Sequence, residues 1–441
     1  MPLNEIYALA MLASFFALLI LGIPVGIGLA VAGFVWGWLG FGPLLFNLLP
    51  HRIFGVVTNS TLIAISLFVF MGVMLEKSRL AEDLMDVVGR LGGSLNGRLA
   101  LGPVPVGVPM GATTGIVGAT VVTLGLLTLP NLLRRGYDPG LACGTICASG
   151  TLGQIIPPSL ILILLADVMN LSVGTLFAAA VFPGLVLAAL YAIYILVLGL
   201  VRPEAAPAVP SAERARESRA ALWRQALRVV APPLGLVVAV LGSIIGGIAA
   251  PTEAASMGAL GAIAVTALGR RFSSTVLKET VQATARITAM MMFILICAQV
   301  FALAFRGLQG KALVHDLFAF LPGGVAADIR FLMALVFVLG FFLEWIEITY
   351  IAVPLFLPVF ANAGVDPVWL ATLICVNLQT SFLTPPFGWA LFFLRSVAPK
   401  EVSTGAIYRG AVPFVLLQIG GVIAVYLFPG LATRLPAAIG W

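Results

Sequence analysis

Long apolar segments separated by short charged ones run along the whole chain. Spans are predicted at 6–21, 22–40, 53–75 and 171–200, and His51–Arg52 interrupts the pattern and predicts a loop. A helix needs about 20 apolar residues to cross the hydrocarbon core of a membrane. A transmembrane β-barrel would instead alternate apolar and polar residues. The pattern therefore predicts an all-α polytopic membrane protein, since helices satisfy their own backbone polar groups.

Two parts of the chain repeat one another at a distance of 228 residues. Positions 129–158 align without a gap with 357–386, and 9 of the 30 aligned positions are identical. They include the adjacent prolines Pro157-Pro158, which align with Pro385-Pro386. Proline removes a backbone donor and clashes with the preceding helical turn, so adjacent prolines in an apolar segment predict a broken helix. Repeats with broken helices are typical of transporters that bind their substrate near the middle of the membrane.

A polar segment divides the chain into two halves. Residues 201–228 are rich in alanine and proline and then in charge, with six arginines and three glutamates. An excess of basic residues is typical of cytoplasmic loops. This segment is therefore predicted to be a cytoplasmic linker between the two repeats.

The two halves are predicted to contain the same parts in the same order. Each has further spans, which the resemblance described below implies are a scaffold, together with a re-entrant hairpin and a broken helix. The second half is inverted if each half crosses the membrane an odd number of times. The predicted units are a first repeat at 1–200 with a hairpin at about 99–133 and a broken helix at about 140–166, the linker at 201–228, and a second repeat at 229–441 with a hairpin at about 331–360 and a broken helix at about 368–395.

Composition agrees with a membrane protein and argues against other classes of function. The 441 residues are 61% hydrophobic and 10% charged, and the mean hydropathy is +1.12. The net charge of +6 is attributed to cytoplasmic loops, so no nucleic-acid partner is expected and the lipid bilayer is the expected surrounding. A Walker A motif is missing, so ATP hydrolysis by this chain is not predicted. The four cysteines lie in apolar context and are interpreted as small buried hydrophobes.

Hydroxyl, amide and glycine residues cluster beside the predicted helix breaks in both halves. Oxygen atoms and exposed backbone carbonyls at broken helices coordinate Na⁺ in transporters of this kind. Serine and threonine in membrane helices also serve simply to bond a local carbonyl or to join helices, and that alternative stays open. The residues predicted to bind ions are Thr114, Gly115, Thr120, Ser149, Gly150, Ser159, Thr349, Asn377, Thr380 and Thr384.

The predicted solute site lies at the two breaks and at the second hairpin. Half-helix N-termini carry partial positive charge and suit an anionic solute group. Ionised carboxylates are costly in a membrane, so Glu344 and Glu347 are candidates for proton or cation coupling, whereas Glu253 is interpreted as the cap of a helix that begins at Pro251. The residues predicted to bind the solute are Gly153, Pro157, Pro158, Glu344, Pro385, Pro386 and Gly388.

Over nearly its whole length the chain resembles the large membrane subunit, or DctM-type permease, of the tripartite ATP-independent periplasmic (TRAP) transporters. These belong to the ion transporter superfamily. The motifs that carry the resemblance include Ile156-Pro157-Pro158-Ser159, Pro251-Thr252-Glu253-Ala254-Ala255, and Thr384-Pro385-Pro386 with Gly388.

The resemblance implies an elevator-type secondary active transporter of the bacterial inner membrane. Two hairpins and two broken helices would form a mobile domain held by a scaffold. The resemblance also implies Na⁺ as the coupling ion, uptake of a small, carboxylate-type organic solute, a periplasmic substrate-binding protein and a small four-span membrane subunit. No enzymatic activity and no organic cofactor are implied.

Two positions depart from the family pattern. The family often has Ser-Gly-Ser at the first hairpin tip, where this chain has Thr114-Gly115-Ile116, and Ile116 has no side-chain oxygen. The usual aspartate of the second hairpin is Glu344 here. Ligation of the ion at these two positions is therefore expected to differ from the family pattern.

The same residues are compatible with two other functions. One is a stand-alone cation/proton antiporter or organic anion exporter of the same superfamily, in which Glu344 or Glu347 would titrate. The other is an intramembrane serine hydrolase that uses Ser149. Neither His51 nor His315 is expected in the membrane core to act as its base, which argues against the hydrolase.

Overall fold

The computed structural model describes residues 2–78, 82–85, 96–114, 117–208, 219–385 and 388–440, with the backbone alone at 109, 112–114 and 219–223. All regular structure in these ranges is helical. In chain order the helices are α1 (Leu3–Ile20), α2 (Val25–Phe41), α3 (Leu44–Val57), α4 (Ser60–Lys77), α5 (Arg98–Leu101), α6 (Pro103–Thr114), α7 (Val117–Arg134), α8 (Pro139–Leu152), α9 (Leu160–Met169), α10 (Val173–Val201), α11 (Arg219–Ile245), α12 (Pro251–Leu268), α13 (Ser274–Gly307), α14 (Gly310–Ala319), α15 (Gly324–Leu339), α16 (Trp345–Asn362, π-helical at Ile348–Ala352), α17 (Pro367–Leu383), α18 (Trp389–Val397), α19 (Thr404–Leu427) and α20 (Gly430–Ala438).

Eight helices of the described ranges are long and apolar enough to cross a membrane. They are α1, α4, α7, α10, α13, α16, α19 and the Arg224–Ile245 part of α11. The pair α14 and α15, bent by 119° at a short break, is a ninth candidate. The predicted all-α polytopic fold is confirmed.

Helix α3 corrects the loop predicted at His51 and Arg52. Both residues lie inside α3 and are exposed, whereas Leu45, Leu49 and Val56 of the same helix are buried. The prediction was wrong because a helix accommodates charged side chains on its exposed side while its opposite side packs.

The helices that precede each hairpin pack as crossed pairs, α4 on α12 and α13 on α2. Small residues permit both contacts. A Cβ atom at Gly33 of α2 would lie 2.9 Å from the backbone nitrogen of Phe301, and one at Gly258 of α12 would lie 2.8 Å from Sδ of Met71. Close approach through small residues is a common way for membrane helices to pack. Helices α1 and α11 flank these pairs by packing on α2 and α12.

The segments predicted as hairpins and broken helices pack together around α8 and α17. The first hairpin segment contains α6 and α7, with 115–116 between them outside the described residues, and the second contains α15 and α16. Helix α7 packs on α18 and α16 packs on α9. Each hairpin therefore contacts the second part of the other half's broken helix, so the two halves interlock.

Part of the segment predicted as the linker is helical. Helix α11 begins at Arg219, inside the segment predicted as linker, and 209–218 lie outside the described residues. Residues 219–228 are mostly alanine, leucine, arginine and glutamine, which are good helix formers. The helix therefore extends beyond the apolar segment that marked its predicted start.

Candidate functional site

The first broken helix consists of α8 and α9, which are separated by residues 153–159. Asp138 begins α8, because its Oδ1 accepts a hydrogen bond from the backbone nitrogen of Leu141 at 2.8 Å. The predicted solute residues Gly153, Pro157 and Pro158 all lie buried in the break. Ser159 ends it, and its hydroxyl donates to the backbone carbonyl of Gln154 within the break.

The second broken helix has the same construction. Asp366 caps α17 by accepting from the backbone nitrogen of Val368 at 2.8 Å. The break runs from Thr384 to Gly388, where α18 follows. Of the predicted solute residues, Pro385 and Gly388 lie in this break, and Pro386 lies outside the described residues. Each half thus has a capped helix that ends inside the apolar core at a proline-containing break.

Two cysteines mark where the broken helices cross. Sγ of Cys375 on α17 lies 3.8 Å from the carbonyl oxygen of Gln154 in the first break. Sγ of Cys147 on α8 lies 3.6 Å from the carbonyl oxygen of Ala390, at the start of α18. The two cysteines are 228 positions apart, so they occupy equivalent positions of the repeat. Each broken helix therefore contacts its counterpart next to the counterpart's break. All four cysteines are buried and free, as predicted.

The predicted hydroxyl ligands fall into two groups. Ser149, Thr349 and Thr380 are fully buried or nearly so, and their hydroxyls have no hydrogen-bond partner among the described residues. Ser159 donates to the carbonyl of Gln154, and Thr384 donates to the carbonyl of Thr380 at 2.6 Å. The first group can donate to or ligate a bound species. The second group shapes the breaks and keeps only lone pairs for a cation.

The other predicted ion ligands have mixed environments. Asn377 donates through Nδ2 to the carbonyl of Met333 at 2.7 Å, which joins α17 to α15 and directs its amide hydrogens away from a cation. Thr120 is fully buried on α7. A Cβ atom at Gly150 would collide with the side chain of Val121, so Gly150 permits α8 to pack on α7. The side chain of Thr114, at the end of α6, is not described, and Gly115 lies outside the described residues.

The three glutamates have different environments. Oε2 of Glu253 accepts from the backbone nitrogen of Ala250 at 2.9 Å, so it caps α12 as predicted. Glu344 is half-buried in the turn before α16. Glu347 is 2% exposed, and its Oε2 has no hydrogen-bond partner in the described part of the chain. A buried carboxylate requires a proton or a cation, so Glu347 is the stronger candidate for charge coupling.

A family model described as the DctM component of the tripartite ATP-independent periplasmic transporter matches residues 12–431. The chain belongs to the DctM family. The resemblance stated from the motifs is therefore confirmed, over nearly the whole chain.

Individual proteins agree with this assignment to the DctM family. The ectoine/5-hydroxyectoine TRAP transporter large permease protein of Ruegeria pomeroyi is 29% identical over 420 residues, covering 94% of this chain and 95% of that protein. The C4-dicarboxylate TRAP transporter large permease protein of Pseudomonas aeruginosa is 29% identical over 405 residues, covering 91% and 92%. The YdaH transporter of Alcanivorax borkumensis has a similar structure, with a TM-score of 0.60, 16% identity and 89% of each chain covered, which indicates a shared fold.

Membership of the DctM family indicates the general function of the chain. The chain is a secondary transporter permease for small organic solutes. With its eight candidate spans in the described ranges, it is a multi-pass protein of the inner membrane. The relatives are transporter permeases, which argues against the hydrolase considered for Ser149.

Buried glutamines in this DctM permease were missed at the sequence level. Gln154 and Gln379 are 2% and 0% exposed, and neither amide has a partner for its oxygen or its nitrogen among the described residues. Gln418 on α19 is also fully buried, but its Nε2 lies 3.3 Å from Oγ1 of Thr151. The sequence signal of Gln154 and Gln379 is a primary amide inside an apolar segment in or near a break, which resembles the signal that identified the hydroxyl residues.

Proposed function

We propose that this DctM permease couples an inward Na⁺ gradient to the uptake of a small organic solute that carries an anionic oxygen-acid group. A periplasmic substrate-binding protein would deliver the solute, and a small four-span membrane subunit would complete the transporter. The observation that carries the proposal is the crossing of the broken helices, where each helix passes beside the break of the other. Buried hydroxyls in these elements have no hydrogen-bond partner among the described residues.

Ser149 in the first half and Thr349 in the second have buried hydroxyls without a partner among the described residues, and these support Na⁺ binding in both halves. The first site combines Thr114, Ser149 and Ser159. The second combines Thr349, Asn377 and Thr384. Ser149 and Asn377 are 228 positions apart, so the two sites use corresponding positions of the two broken helices. The donor hydrogens of Ser159, Thr384 and Asn377 are already directed at backbone carbonyls, which leaves their oxygens for a cation.

The half-helices support an anionic solute. Helices α9 and α18 begin at the two breaks, so their partly positive N-termini face the crossing. Two relatives are named for ectoine with 5-hydroxyectoine and for C4-dicarboxylates, and these compounds carry carboxylate groups. The shared chemistry is an anionic oxygen acid small enough to fit between the breaks.

The packing supports an elevator with inverted repeats. In this proposal, the crossed pairs α4–α12 and α13–α2 form the scaffold. Helices α6 to α9 and α15 to α19 interlock around the breaks and form the mobile domain. Their contacts hold the two breaks together, so the site would cross the membrane as one unit.

Reconstitution tests the proposal directly. The permease, its small subunit and its binding protein are placed in proteoliposomes, and uptake of labelled succinate, ectoine and the solute that the purified binding protein retains is followed. We expect uptake with inward Na⁺ and little uptake when choline replaces Na⁺. Equal uptake in the two media contradicts Na⁺ coupling.

A matched pair of variants tests the first ion site. Ser149→Ala removes an unpartnered buried hydroxyl, whereas Ser381→Ala removes a buried hydroxyl that donates to the carbonyl of Leu378 at 2.7 Å. We expect Ser149→Ala to raise the half-saturating Na⁺ concentration about tenfold, the effect of losing one ligand interaction to a charge. Ser381→Ala should leave that concentration unchanged, and equal effects of the two variants count against the site.

Glu347 supports a second candidate, a proton-coupled carrier that acts without partners. Its buried Oε2 lacks a hydrogen-bond partner in the described ranges. Burial without a partner disfavours the ionised form, so the group is a candidate to carry a proton. This candidate predicts transport by the chain alone, driven by a pH gradient, that Glu347→Gln abolishes. Transport that requires the binding protein and Na⁺ excludes it.

A further inference from the structure

Gln154 and Gln379 stand out among the buried polar groups, because both ends of each amide lack a partner in the described ranges. Their side chains are 2% and 0% exposed. Buried amides in native proteins normally find hydrogen bonds, and leaving one unpaired destabilises the fold. Two such amides in one domain therefore call for a bound species that completes them.

The two glutamines lie at the same crossing. The carbonyl oxygen of Gln154 is held by the hydroxyl of Ser159 and contacts Sγ of Cys375 at 3.8 Å. Gln379 follows Cys375 by four residues on α17, and residues four apart lie on the same side of a helix. The side of α17 that carries Gln379 therefore turns toward the break that contains Gln154.

Other amides of the same domain are paired through nitrogen. Nδ2 of Asn377 donates to Met333 at 2.7 Å, and Nε2 of Gln418 lies 3.3 Å from Thr151. The fold therefore does supply acceptors for amides elsewhere in this domain. The lack of a partner for the side-chain nitrogens of Gln154 and Gln379 among the described residues is therefore specific to these two positions.

The chemistry of the amide selects the class of ligand. A primary amide has two N–H donors and one carbonyl acceptor. A cation satisfies only the oxygen, so Na⁺ alone leaves the nitrogens unpaired. A carboxylate or sulfonate accepts hydrogen bonds from both nitrogens, and such bonds to a charged acceptor are the stronger ones.

We propose that Gln154 and Gln379 bind the anionic oxygen atoms of the transported solute. The inference rests on the proposed function and assigns it two specificity-determining residues, one from each half of the chain. Because the amides are neutral, they bind the anion without trapping it as a buried arginine would. This suits a site that must release its solute.

Thermal unfolding of the full-length chain in detergent tests the inference. NaCl is compared with choline chloride, and a panel of carboxylates and sulfonates that includes succinate and ectoine is then titrated in NaCl. The variants are Gln154→Met and Gln379→Met, which keep the size of the side chain. We expect both to retain the response to Na⁺ and to raise the half-saturating concentration of the active acid about tenfold or more.

The melting temperature without ligand distinguishes a role of these glutamines in binding from a role in the stability of the fold. Methionine removes an unpaired amide, so Gln154→Met and Gln379→Met should unfold at the same temperature as the wild type or higher. Gln418→Met, the control, removes an amide whose nitrogen is paired, so it should lower the melting temperature and leave the response to the acid unchanged.

Each remaining outcome has a distinct meaning. A wild-type protein that responds to Na⁺ but to no acid of the panel overturns the anion assignment alone. Glutamine variants that keep the wild-type response to the acid, or that unfold at a lower temperature as Gln418→Met does, also overturn it. A wild-type protein that does not respond to Na⁺ contradicts the proposed function together with the inference that rests on it.

Discussion

Hydroxyl groups of the two broken helices and the second hairpin differ in whether they donate a hydrogen bond. Thr384 donates to the turn before it and Ser159 donates to its own break, so both stabilise the shape of the site. Ser149, Thr349 and Thr380 have no such partner among the described residues. The two interpretations of membrane serines and threonines therefore apply side by side in one site, and the local partner of each proton separates them.

Glycine at the contact of α8 and α19 gives a prediction at the same scale. A Cβ atom at Gly410 of α19 would collide with the carbonyl oxygen of Gly140 on α8, so the two helix backbones touch. Gly410→Ala must push the helices apart, and overpacking of this kind costs about 1–3 kcal/mol. We expect a lower melting temperature in detergent and a reduced yield of folded protein.

The same helix provides the control for Gly410. A Cβ atom at Gly420 of α19 meets nothing within 4 Å. Alanine is a better helix former than glycine by about 0.5–1 kcal/mol, so Gly420→Ala should leave the melting temperature unchanged or raise it. A melting temperature equal in the two variants would show that the contact of the backbones does not limit stability.

Helices α3 and α4 differ from their counterpart in the second half, helix α13. Helix α13 runs for 34 residues without interruption, whereas the corresponding first-half segment ends at Val57 and begins again at Ser60. Asn59 caps the N-terminus of α4, because its Oδ1 accepts a hydrogen bond from the backbone nitrogen of Thr61 at 2.9 Å. Its Nδ2 donates to Asp167 of α9 at 2.7 Å, so Asn59 also joins the proposed scaffold to the broken helix.

Asp167 is the centre of a three-helix junction and can be tested by a double-mutant cycle. Its Oδ2 accepts from the hydroxyl of Tyr350 on α16 at 2.9 Å, while Oδ1 accepts from Asn59. Hydrogen bonds to a charged group contribute about 1.5–3 kcal/mol. We expect Tyr350→Phe and Asp167→Asn each to destabilise the protein in thermal unfolding, with the double variant losing less than the sum. Additive losses would mean that the two side chains do not interact.

Helices and helix breaks were predictable where local sequence patterns mark them. The hydrogen-bond partners of side chains were not predictable from the sequence. Adjacent prolines marked the breaks directly in the sequence. Helix α3 was missed because its charges at His51 and Arg52 were interpreted without the opposite, buried side. The sequence named Ser149 and Ser159 together, and only the folded break distinguishes a free hydroxyl from one that donates to Gln154.

The whole molecule has two kinds of interface with different consequences. Within the proposed scaffold, Lys77 of α4 pairs with Glu279 of α13 at 3.0 Å. Between the scaffold and the proposed mobile domain, Asn59 of α4 bonds to Asp167 of α9 at 2.7 Å. Elevator transport requires the second interface to break and reform while the first stays intact. The two pairs share α4, so they form a matched set for a cross-linking experiment.

Cross-linking these pairs distinguishes a moving domain from a rigid one. The four native cysteines are replaced by alanine, and cysteine pairs are introduced at 59 with 167 and at 77 with 279. Mercuric ion, which bridges two thiolates, should abolish Na⁺-driven uptake for the first pair, and a reducing thiol should restore it. The second pair should transport with and without mercury, because both of its helices belong to the scaffold. Uptake that persists when 59 and 167 are fully cross-linked contradicts the elevator, since the solute would then cross the membrane without relative motion of these helices.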